Sequence, residues 1–354
     1  MTIRTIGIIG GGQLGRMLAM SAARLNFRTV ILEPQPDSPA AQLANHQITA
    51  AYDDPAALAE LARLCDVITY EFENVPVEAA EKLAASIPVY PPPKALQVAQ
   101  DRLTEKRFLN ASGIETARFH AVDSQADLER ALSDFDGEGV LKTCRLGYDG
   151  KGQKVYRKGD SASGGYEALG SVPLILESFV PFVREISIIA ARGIDGEIRC
   201  YDPTENVHRN GILHTSTQPA AITPETALAA REAATKLLDG LAYVGVVGME
   251  FFVLGDGSLI ANEIAPRVHN SGHWTEAACI VSQFEQHIRA VASLPLGDTV
   301  RHSDCVMTNL IGDDIDSVPD WLAKPNVLVH LYGKTEARPG RKMGHITEIL
   351  PIRS

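Results

Sequence analysis

The sequence is short of cysteine, has no long apolar run and carries no excess of positive charge. Its five cysteines, Cys65, Cys144, Cys200, Cys279 and Cys305, are widely spaced, form no CxxC pair and are odd in number. A fully paired disulfide set is therefore excluded, and reduced thiols acting as small buried hydrophobes are expected. No stretch reaches the roughly 18 consecutive apolar residues needed to span a bilayer. The N-terminus runs straight into Ile6-Gly7-Ile8-Ile9 without the basic region and cleavage site of a secretory leader. A soluble, cytoplasmic chain outside the membrane is the expectation. With 33 basic against 44 acidic residues the net charge is -11, which offers no general attraction to nucleic acid or anionic lipid. Internal repeats and low-complexity tracts are also missing.

What is present is enough apolar material, 45% of 354 residues, for two or three packed units. The opening alternates strands and helices: Ile6–Ile9, Leu14–Leu25, Thr29–Leu32, Ala56–Cys65 and Val67–Tyr70. That order predicts a parallel α/β sheet. Pro91-Pro92-Pro93 reads as a non-helical spacer, placing a domain boundary near residue 95. Beyond it, helices are expected over Asp101–Asn110, Asp127–Leu132 and Pro224–Leu238. Strands are expected over Gly139–Lys142, Leu174–Glu177, Glu185–Ala191, Gly248–Leu254 and Ser258–Ile264, an α+β arrangement. A last segment from about Val300 holds a strand-like Val327–Tyr332 and a basic Arg338–His345 stretch.

Three motifs carry possible chemistry. Gly10-Gly11-Gly12-Gln13-Leu14-Gly15 fits GxGxxG between a strand and a helix, and Glu33 closes the second strand where a ribose-binding acid would sit. Nicotinamide binding, another phosphate ligand and a purely structural turn all remain open for it. Lys142 ends an apolar strand and precedes a glycine-rich loop, Gly147-Tyr148-Asp149-Gly150-Lys151-Gly152-Gln153. Glycines let backbone amides approach phosphate, and the lysine adds a point charge. The order of residues is not that of a Walker A loop.

The third motif follows from register. If Asp256-Gly257 is a two-residue hairpin turn, Glu250 faces Glu263 across the strands. Such a like-charge pair, with Cβ atoms about 4.5–5.5 Å apart, is destabilising unless a cation bridges it. Two carboxylates plus phosphate oxygens are a ligand set suited to Mg²⁺. The run Arg267-Val268-His269-Asn270-Ser271-Gly272-His273 follows directly. Arg267 is placed to face an anion, and His269 to bind it or move a proton.

Together, Asp101-Arg102, Lys142 with its loop, Glu177, Glu185, Glu250 and Asn262-Glu263 resemble the ATP-grasp superfamily. GGGQLGRM at Gly10–Met17, YEFENV at Tyr70–Val75, NEIAPRVHNSGHWT at Asn262–Thr275 and RPGRKMGH at Arg338–His345 narrow the resemblance to the N-carboxyaminoimidazole ribonucleotide synthetases, over nearly the whole chain. The resemblance implies a pre-ATP-grasp α/β domain (1–95), an ATP-grasp domain (96–298) and a small C-terminal domain (299–354). It further implies a homodimer that uses ATP, Mg²⁺ and bicarbonate to carboxylate 5-aminoimidazole ribonucleotide through carboxyphosphate.

By the same resemblance, Arg102, Lys142 and the Gly147–Gln153 loop, with Tyr148 at its centre, would hold ATP phosphates. Glu177, Ser178, Phe179 and Val180 would meet adenine, and Glu185 and His208 the ribose and phosphates. Glu250 and Glu263 would ligate the metal beside Asn262, and Arg267 and His269 would hold the bicarbonate-derived anion. Gln13, Leu14, Glu73, Asn74, Asn270, Arg341 and Lys342 would surround the imidazole ribonucleotide. On this reading the glycine loop serves the ribonucleotide phosphate and Glu33 is structural.

Overall fold

The computed structural model describes residues 3–147 and 152–352. The first unit is a four-stranded parallel sheet in the order His46–Ile48, Arg28–Leu32, Thr5–Ile9, Val67–Tyr70. Its strands are apolar and buried almost throughout, as befits a sheet covered on both faces. Helix Gln13–Arg24 follows the first strand, and helix Pro55–Leu64 starts where the Asp54 carboxylate accepts from the Ala57 amide at 2.8 Å. The three-residue strand His46–Ile48 and the helix Val77–Ala84 complete the unit beyond the predicted elements.

The Pro91–Pro93 spacer is a correction. Pro93 opens a helix, Pro93–Ala99, because a proline in the first turn lacks only an amide that no carbonyl would have accepted.

Two antiparallel sheets follow. The smaller has the order Phe119–Val122, Leu174–Glu177, Gly139–Thr143, Gln153–Tyr156. The larger is nine-stranded and runs from Leu259–Ala265 through Gly245–Val253, Arg184–Arg192, Thr204–Arg209, Ile212–Gln218, Asp304–Ile311 and Lys342–Leu350 to Val327–Leu331, with Ile198–Cys200 paired on Arg184–Arg192. The C-terminal strands thus extend the central sheet, joined through Ile212–Gln218 and Asp304–Ile311. Pro339-Gly340 forms the expected turn, with the Arg341 amide on the Arg338 carbonyl at 2.9 Å.

Helix Gln283–Val291 welds the units together. It packs on both Gln13–Arg24 and Gly245–Val253, burying Phe284 and Ile288 in one core with Met17, Leu18 and Trp274. Each such fully buried side chain contributes roughly 1.5–3 kcal/mol. Its polar residues act as connectors: the His287 ring bridges Thr69 Oγ1 at 2.7 Å and the Val246 amide at 3.1 Å. This contact fixes the first sheet against the large one. No helix among the described residues is long and apolar enough to cross a membrane.

Candidate active site

The carboxylate hairpin forms, though not by the expected turn. The Leu254 amide bonds the Ser258 carbonyl at 2.9 Å, so the loop is Gly255-Asp256-Gly257, with Gly257 at φ +86°. Such a three-residue loop shifts the register by one. A bulge at Asn262 shifts it back, so Phe251 faces Ala261 while Glu250 still faces Glu263. Lys106 Nζ donates to the Asn262 carbonyl at 3.3 Å, satisfying part of the disturbed ladder. Burial first, and then the neighbouring Glu263, push the Glu250 carboxyl well above its usual range. That mismatch is what a divalent cation would relieve, so the pair fits Mg²⁺.

Cations flank the pair. Helix Arg102–Ala111, capped by Asp101, presents Arg102 Nη1 at 3.4 Å from Glu263. Lys142 Nζ lies 2.9 Å and Lys106 Nζ 3.5 Å from opposite oxygens of Glu177. Burial alone would raise Glu177, but the two lysines outweigh it and hold the carboxyl at about 2. Burial also lowers the Lys142 pKa, against the pull of Glu177. Next to them, Phe182 stacks on Phe252 with centroids 4.6 Å apart. Glu185 meets His208 Nδ1 at 3.2 Å; burial works against charging that imidazole, but Glu185, Glu250 and Glu263 raise its pKa.

The other end of the cleft is built from the Arg267 run. Arg267 Nε reaches across to Glu73 at 2.5 Å, and this partner overcomes burial to hold the Glu73 carboxyl at about 2. His269 Nε2 lies 3.6 Å from Glu250 and Nδ1 2.8 Å from Ser271 Oγ; burial, then Arg267, lowers the imidazole to about 3, so it is neutral. Gln283 clamps the His269 backbone, accepting from its amide at 2.9 Å and donating to its carbonyl at 2.7 Å. Both polar atoms of the Asn270 side chain are buried without a protein partner, which marks them as ligand-facing.

Apart from the supporting Asp101, Lys106, Ser271 and Gln283, these groups line one cleft of about 520 Å³. Of the predicted residues that are described, all but Gly152 and Arg341 line it. Gly152 serves the hairpin, its carbonyl accepting from the Thr143 amide, and Arg341 donates to the Glu336 carbonyl at 2.9 Å. Tyr148, Asp149, Gly150 and Lys151 lie outside the described residues.

The glycine loop differs from expectation in part. Three of its glycine amides are already taken: Gly11 by Glu33 at 2.9 Å, Gly15 by Glu71 at 2.6 Å, and Gly12 by the other Glu71 oxygen. Glu33 also accepts from Tyr52, so it has a structural task and the nicotinamide reading loses its ribose acid. The loop reaches the cleft only through Gln13 and Leu14. Residues missed from sequence are Glu105 and Lys106, whose signal was available. They sit three and four positions after Arg102, so one helical face carries three charges, two of them buried.

The ATP-grasp domain family matches residues 107–284, the ribonucleotide synthetase preATP-grasp domain 3–100, and the phosphoribosylaminoimidazole carboxylase C-terminal domain 305–351. The chain is 65% identical over 349 residues to the N5-carboxyaminoimidazole ribonucleotide synthase of Brucella melitensis, covering 98% of this chain and 96% of that one. The crystal structure of an ADP complex of an N5-carboxyaminoimidazole ribonucleotide synthetase superposes with a TM-score of 0.95 at 41% identity, covering 98% and 92% of the two chains. The Aspergillus clavatus synthase solved with ADP and 5-aminoimidazole ribonucleotide gives 0.93 at 33% identity, covering 99% and 94%. The geometry of the cleft and these likenesses lead to one statement of kinship: the chain belongs to the N5-carboxyaminoimidazole ribonucleotide synthase family of ATP-grasp ligases.

Proposed function

We propose that this cleft carboxylates 5-aminoimidazole ribonucleotide at the expense of ATP. A bicarbonate oxygen attacks the γ-phosphorus, ADP leaves, and carboxyphosphate results. The 5-amino group then takes the carboxyl carbon, forming a carbamate as phosphate leaves and the amine gives up a proton. The observation that carries this reading is the single cleft with two chemically distinct ends, joined at Glu250 and His269, 3.6 Å apart.

At one end, Glu250 and Glu263 would hold Mg²⁺, which when bound neutralises phosphate charge. Arg102 and Lys142 would bind phosphate oxygens, with the Gly147–Gln153 loop and Tyr148 covering them. The Glu177 carboxylate is committed to lysines, so adenine would meet the backbone of Glu177–Val180 and the apolar wall that includes Phe252. Glu185 and His208 would take the ribose. At the other end, Arg267 would exchange Glu73 for the anion. Neutral His269, its Nδ1 accepting from the Ser271 amide, would offer its Nε2 hydrogen to the bicarbonate-derived anion, the departing phosphate would take the amine proton, and Asn270 supplies the donor and acceptor it does not use internally. Gln13, Leu14, Glu73, Asn74 and Lys342 would enclose the imidazole ribonucleotide, with Arg341 at the rim.

The proposal includes the division at residues 95 and 298, homodimeric assembly and a cytoplasmic setting, as the family resemblance implies. Phosphate release from ATP tests the function directly. It should need bicarbonate and rise further when aminoimidazole ribonucleotide is added. Release indifferent to both co-substrates would overturn it.

A further inference from the structure

A second polar cluster lies behind the cleft. Strands Val327–Leu331 and Lys342–Leu350 pair with His330 directly opposite His345, which puts both imidazoles on one face with ring centroids 5.3 Å apart. The short helix Thr275–Ala278, continuing from the Arg267 run, sets Glu276 against them. One carboxylate oxygen lies 3.0 Å from His330 Nδ1 and 3.5 Å from His345 Nε2. All three donor atoms fall within 4.8 Å of one another. A tetrahedral ion with bonds near 2.0–2.1 Å spaces its ligand atoms about 3.3–3.4 Å apart, so two edges are already close to that length.

The His345 side chain is 1% exposed, and its Nε2, aimed at Glu276, makes no hydrogen bond. Its Nδ1 lies 2.9 Å from the Tyr332 hydroxyl. With the ring hydrogen on Nδ1 donated there, Nε2 keeps its lone pair toward the carboxylate, the outer contact that orients ligating histidines. Burial favours the neutral form of His345. Glu276 is held at about 2, burial being outweighed by His330 and His345. The His330 and Glu276 side chains stay 11% and 17% exposed, which leaves a route for entry.

We propose that Glu276, His330 and His345 form a binding site for a divalent first-row transition cation of the Zn²⁺ type, separate from the Glu250/Glu263 pair. Two imidazoles and one carboxylate suit such an ion, whereas Mg²⁺ favours oxygen ligands. The bound ion clamps the C-terminal strands onto the segment that carries Arg267 and His269. His345 stands three residues beyond Lys342 in the same strand, so the clamp fixes both sides of that end of the cleft.

The test uses the full chain, stripped with chelator and kept in excess Mg²⁺, titrated calorimetrically with ZnCl₂ and then with CoCl₂ as an absorbing substitute. Wild type should bind an equivalent of Zn²⁺ that Glu276→Gln and His330→Gln each weaken at least about tenfold, in line with losses at metal ligand shells. Glu250→Gln should retain it. Zn²⁺ should raise the melting temperature of wild type but not of Glu276→Gln, an isosteric change that tests the site even if His330→Gln folds poorly. Absence of Zn²⁺ binding at micromolar free ion, binding untouched by Glu276→Gln, or binding lost only in Glu250→Gln would overturn the proposal.

Discussion

The first α/β unit and the carboxylate hairpin both look built for charged ligands, but they deal with their charges in opposite ways. In the first unit a glycine turn and a helix N-terminus supply donors for an anion, and Glu33 and Glu71 from the chain itself have taken the amides of Gly11, Gly12 and Gly15. In the hairpin, two facing glutamates lack an equivalent answer; Arg102 at 3.4 Å touches only one of them. A turn whose glycine amides are bonded by the chain's own carboxylates is a structural joint at those positions. A motif left electrostatically unbalanced is where a ligand is expected.

The largest effect that would sharpen this contrast comes from Glu263→Gln. Phosphate release from ATP should fall to background at saturating Mg²⁺, because one of two metal-facing carboxylates loses its charge. Near-normal turnover would put the pair among ordinary surface carboxylates. Lys342→Ala comes next. Loss of a charge-assisted hydrogen bond of about 1.5–3 kcal/mol should lower kcat/KM for the ribonucleotide about ten- to 150-fold, while the KM for ATP stays put. Equal weakening of both substrates would show that Lys342 does not belong to one end of the cleft.

On the other side of the comparison, Glu71→Ala should destabilise the fold. It orphans the Gly12 and Gly15 amides, at roughly 1–3 kcal/mol each. Chemical denaturation should show the loss, and ADP affinity of the folded protein should not change. Unchanged stability would mean the glycine loop is open for a ligand after all.

The smallest effect concerns the weld between the regions. The Val246 amide donates to His287 Nδ1, so the ring gives its Nε2 hydrogen to Thr69, and burial lowers its pKa to about 3. The folded value lies below the unfolded value near 6.5. Stability from neutral His287 is therefore present above about pH 6.5 and is lost as pH falls toward 3. Between pH 7 and 5 this group should cost about 2 kcal/mol. His287→Gln keeps both hydrogen bonds without titrating, so its melting temperature should fall less over that interval. Parallel curves for the two proteins would contradict the assignment.

The hairpin was legible because like charge across a ladder is a local, two-strand property. The two-residue turn was wrong and the bulge at Asn262 unforeseen, yet the two errors cancel in register, so Glu250 and Glu263 still meet. The bonding of the Gly12 and Gly15 amides was not legible because it comes from Glu71, more than fifty positions away at the end of another strand. Lys106 was passed over although Arg102, Glu105 and Lys106 share one helical face, because its partner Glu177 comes from a distant strand. Pro93 was read by its interior penalty, while its position at the helix start removes that penalty. Local patterns thus gave the elements and the metal-type pair, and long-range partners decided which charges were left for ligands.

The most direct test of that distinction is the melting temperature of wild type and Glu263→Gln, each measured in chelator and with Mg²⁺ and ADP. If the pair is an unrelieved repulsion awaiting a cation, the variant melts at or above wild type in chelator and gains little from Mg²⁺ with ADP, while wild type gains markedly. A variant that melts below wild type in chelator, and is stabilised as much by Mg²⁺ and ADP, would contradict it.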